Sequence, residues 1–155
     1  MDSGEVYFAY GSNMLESQMR GRCPSARFLR AGRLHNYRLF FPRWSDRWGC
    51  GVAGVKPNPG DVVEGVLYTL SLTDLKELDE IEGVSAGRYQ RVQTSIEFDE
   101  EEHLECWMYL AIEREHASCQ PSKAYREALL RGALEHGLSD SYTDHLRTID
   151  IQEDF

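Results

Sequence analysis

The order in which strand-like and helix-like segments follow one another is the feature that most limits the fold of this chain. Strand patterns dominate residues 1–70, a helical pattern covers 71–83, a strand hairpin covers 89–111, and two further helical patterns lie within 122–149. This order lacks the regular strand–helix–strand alternation of a doubly wound sheet. At 155 residues the chain has the size of one domain. We therefore predict an α+β fold in a single domain over residues 1–155, with a small mixed β-barrel or sheet and flanking helices.

Several of the predicted strands are followed by glycine, proline or acidic residues. They cover residues 6–10, 27–41 with a break near Gly32, 51–55, 62–70, 89–98 and 104–111. Both faces of the last strand are apolar, which predicts a central position in the sheet. Residues 42–48 are predicted to form a loop, and the Pro-Asn-Pro-Gly-Asp sequence at 57–61 predicts a turn.

The predicted helices follow from apolar spacing and from capping residues. They cover residues 13–19, 71–83, 122–136 and 139–149. Ser71 is predicted to cap the start of the second helix, since serine followed by an acidic residue three positions later is typical of a helix start. Gly83 is predicted to cap its end, where glycine is common.

The charge distribution argues against nucleic-acid binding. The formal net charge is −9, and residues 1–60 carry +5 whereas residues 61–155 carry −14. A protein that neutralises phosphates needs surplus cations. The arginines of residues 1–60 are scattered singly, which is more typical of a solvated surface with internal ion pairs than of a basic patch.

The sequence also lacks several signals for other classes of protein. No apolar run reaches the 18–20 residues or so that cross a bilayer, and no secretory signal is visible, so we expect a cytoplasmic protein that does not bind a membrane. The cysteines form no Cys-x-x-Cys pair, which predicts reduced, mostly buried thiols and no zinc site; they are Cys23, Cys50, Cys106 and Cys119.

The first candidate for chemistry is the sequence Tyr10-Gly11-Ser12-Asn13, which follows a predicted buried strand. Glycine allows close approach of a ligand to the backbone. The residues after it can open a helix, whose free N–H groups bind anions or polarised carbonyl oxygens. The same pattern is also typical of an ordinary turn with a helix cap.

The second candidate is Glu82, at the predicted end of the helix over 71–83. The helix dipole disfavours a negative charge at that end, and Asp79 lies one turn earlier. Both effects would raise the pKa of Glu82, which suits a group that transfers protons. The alternative is an acidic, solvated helix end.

Three segments together resemble the γ-glutamylcyclotransferase family. They are VYFAYGSNM at 6–14, LDEIEGV at 78–84 with Gly87 and Tyr89 after it, and Pro121-Ser122-x-x-Tyr125. The resemblance extends from about residue 5 to residue 150.

The resemblance implies a barrel with flanking helices, no metal, no cofactor and a small-molecule substrate. In the implied reaction, part of glutathione metabolism, the α-amine of a γ-glutamyl group attacks its own γ-carbonyl, which yields 5-oxoproline and releases an amino acid or amine. Glu82 is implied as the general acid/base. The implied substrate-binding residues are Tyr7, Phe8, Ala9, Tyr10, Gly11, Ser12, Asn13, Tyr89 and Tyr125. The Gly11–Asn13 turn would either stabilise the γ-carbonyl oxygen or bind the α-carboxylate.

Two positions bear on the type of substrate. Asn13 differs from the Tyr-Gly-Ser-Leu of the glutathione-specific branch, and Ser12 with Asn13 differs from the Tyr-Gly-Thr-Leu of the γ-glutamylamine branch. The favoured interpretation is an enzyme, a monomer or homodimer, that acts on γ-glutamyl amino acids. The alternatives are an enzyme that removes a γ-glutamyl protecting group in a biosynthetic pathway and a non-catalytic small-molecule-binding protein of the same fold.

Overall fold

The described strands form a closed barrel. The computed structural model describes residues 4–112 and 119–153. The strands are β1 (Glu5–Ala9), β2 (Arg27–Ser45), β3 (Cys50–Leu70), β4 (Tyr89–Phe98) and β5 (Glu102–Ala111). They close in the order β1-β3-β2-β4-β5; β1 is parallel to β5, and the other neighbouring strands of the barrel pair in antiparallel fashion. The predicted α+β fold with a mixed barrel is confirmed, and β5 lies between β1 and β4 as its two apolar faces predict.

A long hairpin of β2 and β3 is the main departure from the predicted strands. β2 runs through Gly32 without a break and pairs with β3 as far as Ser45 and Cys50, which leaves only residues 46–49 as a turn. The predicted break and most of the predicted loop over 42–48 are therefore wrong. A Cβ at position 32 would lie 2.5 Å from Ile96 Cγ2, so this glycine permits close packing instead of ending the strand.

The predicted turn over 57–61 is wrong as well, because these residues form a bulge inside β3. The neighbours of Asn36 on β2 pair with Val62 and Pro57, so residues 58–61 face Asn36 alone. Asn36 Oδ1 accepts a hydrogen bond from the Gly60 N–H at 3.1 Å, and the φ angles of the two residues are 65° and 88°. Turn-forming residues are thus used within a continuous strand pair, where a bulge also needs positive φ angles.

The helices lie in the segments of the chain that connect the barrel strands or follow the last of them. They are α1 (Glu16–Arg22), α2 (Leu72–Glu82), α3 (Lys123–Glu135) and α4 (Asp140–Arg147), and a 3₁₀ turn covers Ser12–Met14. The predicted helix over 13–19 is divided in two at Leu15, whose backbone is extended. The caps of α2 are confirmed: the Ser71 hydroxyl accepts from the Asp74 N–H, and Gly83 is left-handed with φ 79°.

Contacts with β3 and α3 hold the 3₁₀ turn in place after β1. The buried Tyr68 hydroxyl lies 2.9 and 3.1 Å from the carbonyl oxygens of Asn13 and Met14. On α3, a Cβ at Gly132 would lie 2.7 Å from the carbonyl carbon of Met14 and 2.8 Å from the backbone nitrogen of Leu15. The helix therefore approaches the turn closely enough that only glycine fits at this position.

Gly132→Ala should destabilise the protein although alanine favours helices. The added methyl group would meet backbone atoms of the 3₁₀ turn, and such overpacking costs about 1–3 kcal/mol. Gly21→Ala in α1 is the matched control, since a Cβ there has no atom within 4 Å and the change should stabilise by up to about 1 kcal/mol. Urea unfolding measures both; equal effects of the two substitutions would contradict the packing argument.

Candidate active site

A cavity of about 280 Å³ opens where β1 ends, beside the tip of the β2–β3 hairpin and the end of α2. Its floor consists of buried or half-buried side chains, and its rim consists of exposed ones. The floor includes Tyr7, Asn13, Ala53, Glu82, Tyr89 and Tyr125, and the rim includes Trp44, Asp46, Arg47 and Arg88.

Asn13 is the residue that connects the floor. It is 4% exposed, and its Nδ2 group donates hydrogen bonds to Tyr7 Oη and Glu82 Oε1, each at 3.1 Å. Its Oδ1 accepts from Gln18 Nε2 and Arg22 Nη1, also at 3.1 Å. Since a guanidinium only donates, the contact with Arg22 fixes which end of the amide is the oxygen. The end that faces Glu82 is therefore the donor.

Glu82 is the last residue of α2 and turns its carboxyl group towards this floor. Its side chain is 19% exposed, and Oε1 lies 3.7 Å from Arg22 Nη1. Burial raises the pKa of the carboxyl above its ordinary value and outweighs the opposing effects of Arg22 and of the Asn13 hydrogen bond. Such a group holds a proton more readily than a solvated glutamate does.

Asp79 lies one turn before Glu82, and this spacing predicts that its charge raises the pKa of Glu82; the structure shows a different role. Its Oδ1 accepts a hydrogen bond from the Tyr109 hydroxyl at 2.7 Å and lies 2.8 Å from Arg91 Nε. A nearby cation offsets its charge, and the raised pKa of Glu82 arises first from burial. The expected repulsion between the two carboxylates is thus not the cause of the shift.

Two tyrosines bind the backbone N–H and carbonyl groups of one β3 residue, Ala53, at the cavity wall. The Ala53 N–H donates to Tyr125 Oη at 3.0 Å, and the Ala53 carbonyl accepts from Tyr89 Oη at 2.7 Å. Burial raises the pKa of both phenols, so they remain neutral hydroxyls. A Cβ at Gly11 would lie 3.2 Å from Tyr125 Oη and 3.3 Å from Ala53 Cβ, so a side chain at that position would crowd the wall.

The structure brings together most of the site residues that the sequence predicts. Those that line the cavity are Tyr7, Tyr10, Gly11, Ser12, Asn13, Glu82, Tyr89 and Tyr125. Phe8 and Ala9 do not line it; both are fully buried in the core, and they pair with Leu67 and Val66 of β3. Side chains alternate between the two faces of a strand, so Phe8 points away from the face on which Tyr7 lines the cavity.

Sequence reasoning missed the cationic part of the site. Arg22, Arg43, Arg47 and Arg88 all line the cavity, as do Trp44 and Trp48. Three of these arginines belong to the scattered set within residues 1–60, whose positive charge was the available signal. Arg43 and Arg47 reach the cavity on the long β2–β3 hairpin, which the prediction of a loop over 42–48 did not include.

The part of the chain that the structure describes contains neither a group of metal-binding side chains nor a membrane-spanning helix. Within residues 4–112 and 119–153, no three His, Cys, Asp or Glu side chains are grouped so that they could hold a metal ion. In the same residues, no helix combines the length and apolar character that a membrane span needs.

The architecture is shared with a solved γ-glutamyl cyclotransferase structure. The two superpose with a TM-score of 0.93 and 33% sequence identity, over 98% of this chain and 91% of the other. The closed barrel and the flanking helices that the described residues form are thus the fold of that class of protein.

Sequence comparisons agree with the structural one. The AIG2-like family matches residues 62–146. The mouse γ-glutamylcyclotransferase is 36% identical over 152 residues, which are 96% of this chain and 80% of the mouse protein. The human γ-glutamylcyclotransferase is 36% identical over 149 residues, 94% of this chain and 78% of its own length. The chain belongs to the AIG2-like family, and within it to the γ-glutamylcyclotransferase enzymes.

Glu82→Gln should change how stability depends on pH. Because burial raises the pKa of Glu82 in the folded chain, wild-type stability falls as the pH rises from the unfolded value of about 4.3 through the higher folded value. Glutamine does not ionise, so the free energy of unfolding of the variant should gain on that of the wild type over this interval. Urea unfolding from about pH 4 to about pH 8 measures the difference. A difference that stays constant with pH would contradict the raised pKa.

Proposed function

We propose that this enzyme converts γ-glutamyl amino acids to 5-oxoproline and the free amino acid, with Glu82 as general acid/base. The observation that carries the proposal is the position of the Glu82 carboxyl group. It lies on the floor of the cavity beside Asn13 and Arg22, is largely shielded from solvent, and has a raised pKa. The family relationship supports a γ-glutamyl substrate.

The attacking nitrogen must lose two protons, and the leaving nitrogen must gain two. The substrate α-ammonium loses the first before its nitrogen can attack the γ-carbonyl carbon, and the Glu82 carboxylate accepts that proton. The new C–N bond closes a five-membered ring, whose nitrogen releases its second surplus proton to solvent. The original amide C–N bond then breaks, and the leaving nitrogen takes a proton from the Glu82 carboxylic acid, which regenerates the carboxylate. The released amine takes up its last proton from solvent. One group can serve both steps because its raised pKa lets the carboxyl group accept a proton and release it again.

The floor of the cavity supports this chemistry by fixing the position of the carboxyl group. Asn13 donates to Glu82 Oε1 at 3.1 Å, while Arg22 stays 3.7 Å away. Because a single neutral hydrogen bond and a more distant cation hold it, Glu82 stays in place without the strong lowering of its pKa that a close bidentate ion pair would cause.

The Gly11–Asn13 turn is the part of the cavity that we assign to the glutamyl group. Gly11 leaves the backbone accessible beside Tyr125 and Ala53. Backbone N–H groups at such a turn suit either the γ-carbonyl oxygen, on which negative charge develops, or the α-carboxylate. A folded glutamyl chain held there would bring its amine close to its own γ-carbonyl, and such proximity lowers the barrier of ring closure.

Glu82→Gln should abolish most turnover. Loss of a general acid/base lowers kcat by about 100-fold to 10,000-fold, and the amide keeps the shape of the side chain. Glu77→Gln is the matched control, since Glu77 lies exposed on the same helix and does not line the cavity. The measurement is 5-oxoproline released from γ-glutamyl-alanine, with circular dichroism to verify folding.

Three outcomes would contradict parts of the proposal. A fully active Glu82→Gln variant would show that another group transfers the proton. Binding of γ-glutamyl-alanine without release of 5-oxoproline by the wild type would favour the non-catalytic binding protein. Turnover restricted to γ-glutamyl-ε-lysine or to glutathione would move the enzyme to a different substrate type.

A further inference from the structure

Arginines give the cavity an excess of positive charge. Four of them line it, against two carboxylates, those of Asp46 and Glu82, which gives a formal charge of +2. Arg22 lies at the floor, whereas Arg47 at the hairpin tip and Arg88 after α2 are exposed at the rim. The rim therefore offers cations to the part of a substrate that extends out of the floor.

The arginines of the cavity differ in how they are engaged. Arg22 donates to Asn13 Oδ1 at 3.1 Å and lies 3.7 Å from Glu82, and Arg43 donates to the carbonyl oxygen of Ile112 at 3.1 Å. By contrast, the guanidinium groups of Arg47 and Arg88 have no hydrogen bond or close ion pair with another described residue. These two cations are available to a ligand.

Both rim arginines line the cavity that holds Glu82. The Arg88 side chain packs over Gly83, the residue after Glu82, since a Cβ at Gly83 would lie 2.8 Å from Arg88 Cδ. Arg47 lies on the opposite element, the hairpin tip, and its charge acts to lower the pKa of Glu82. The cavity that holds Glu82 is thus lined by one cation from the hairpin tip and one from the segment after α2.

We infer that Arg47 and Arg88 are specificity-determining residues that bind the anionic group of the leaving amino acid. This inference rests on the proposed function. The leaving nitrogen must lie at Glu82 to receive its proton, and the carboxyl carbon of an amino acid is two bonds from that nitrogen. The carboxylate therefore lies on the same side as the arginine rim, where a planar guanidinium matches it well.

Substrates should be ranked by the charge of the leaving group. γ-Glutamyl-glutamate has two carboxylates on that part, γ-glutamyl-alanine has one, and γ-glutamyl-alaninamide has none. We expect kcat/KM to fall in that order, mainly through KM, because the rim contacts the leaving group equally in the ground state and the transition state. Added salt should reduce the differences, since the rim is exposed to solvent.

The test combines these three substrates with Arg47→Gln, Arg88→Gln and the double variant. Each single change should lower kcat/KM for γ-glutamyl-alanine about threefold to fivefold, and the double change about tenfold, as expected for exposed ion pairs. The same variants should lower kcat/KM for γ-glutamyl-alaninamide less than for γ-glutamyl-alanine, because the amide has no carboxylate for the rim to bind. Arg131→Gln on α3 is the control, because it removes an exposed arginine that does not line the cavity.

The outcomes separate this inference from the proposed function. Equal kcat/KM for γ-glutamyl-alanine and its amide, with 5-oxoproline formed from both, would overturn the inference and leave the proposed function standing. Arginine variants that match Arg131→Gln on every substrate would do the same. No 5-oxoproline from any of the three substrates would overturn the proposed function, and the inference with it.

Discussion

The side-chain amide of Asn13 is the interaction on which the rest of the cavity depends. Its four hydrogen bonds join Tyr7 of β1, Gln18 and Arg22 of α1, and Glu82 of α2, so three elements meet at one buried group. The amide is itself held in place, because Tyr68 and Gly132 fix the backbone of the 3₁₀ turn from β3 and α3. The packing of α1 and α2 against β1 and the position of the carboxyl group are therefore coupled through a single residue.

The floor and the rim of the cavity follow different physical rules. On the floor, burial controls protonation: it raises the pKa of Glu82 and keeps Tyr89 and Tyr125 neutral. At the rim, solvent weakens each electrostatic contact, so selectivity has to come from several weak contacts acting together. One cavity can thus combine a strict requirement for proton transfer with a graded preference among leaving groups.

The sequence predicted the parts of the structure that depend on local chemistry. Ser71 and Gly83 cap α2 as expected, and Glu82 shares a cavity with the Gly11–Asn13 turn, which the family pattern suggested. The errors come from tertiary context. The turn-forming residues at 57–61 became a bulge because β2 continues opposite them, and no local signal shows that a partner strand is that long. The arginine rim was missed for the same reason, since only the extended hairpin brings Arg47 near Arg88 and Glu82.

The hydroxyls of Tyr89 and Tyr125 have a consequence for how this protein can change. Ala53 lies in a register shift between β2 and β3, and both of its backbone polar groups are satisfied by these phenols. At this point of the closed barrel, the backbone of β3 is thus held by side chains and not by a neighbouring strand. Substitution of either tyrosine would therefore alter the cavity wall without removing a hydrogen bond of the strand ladder.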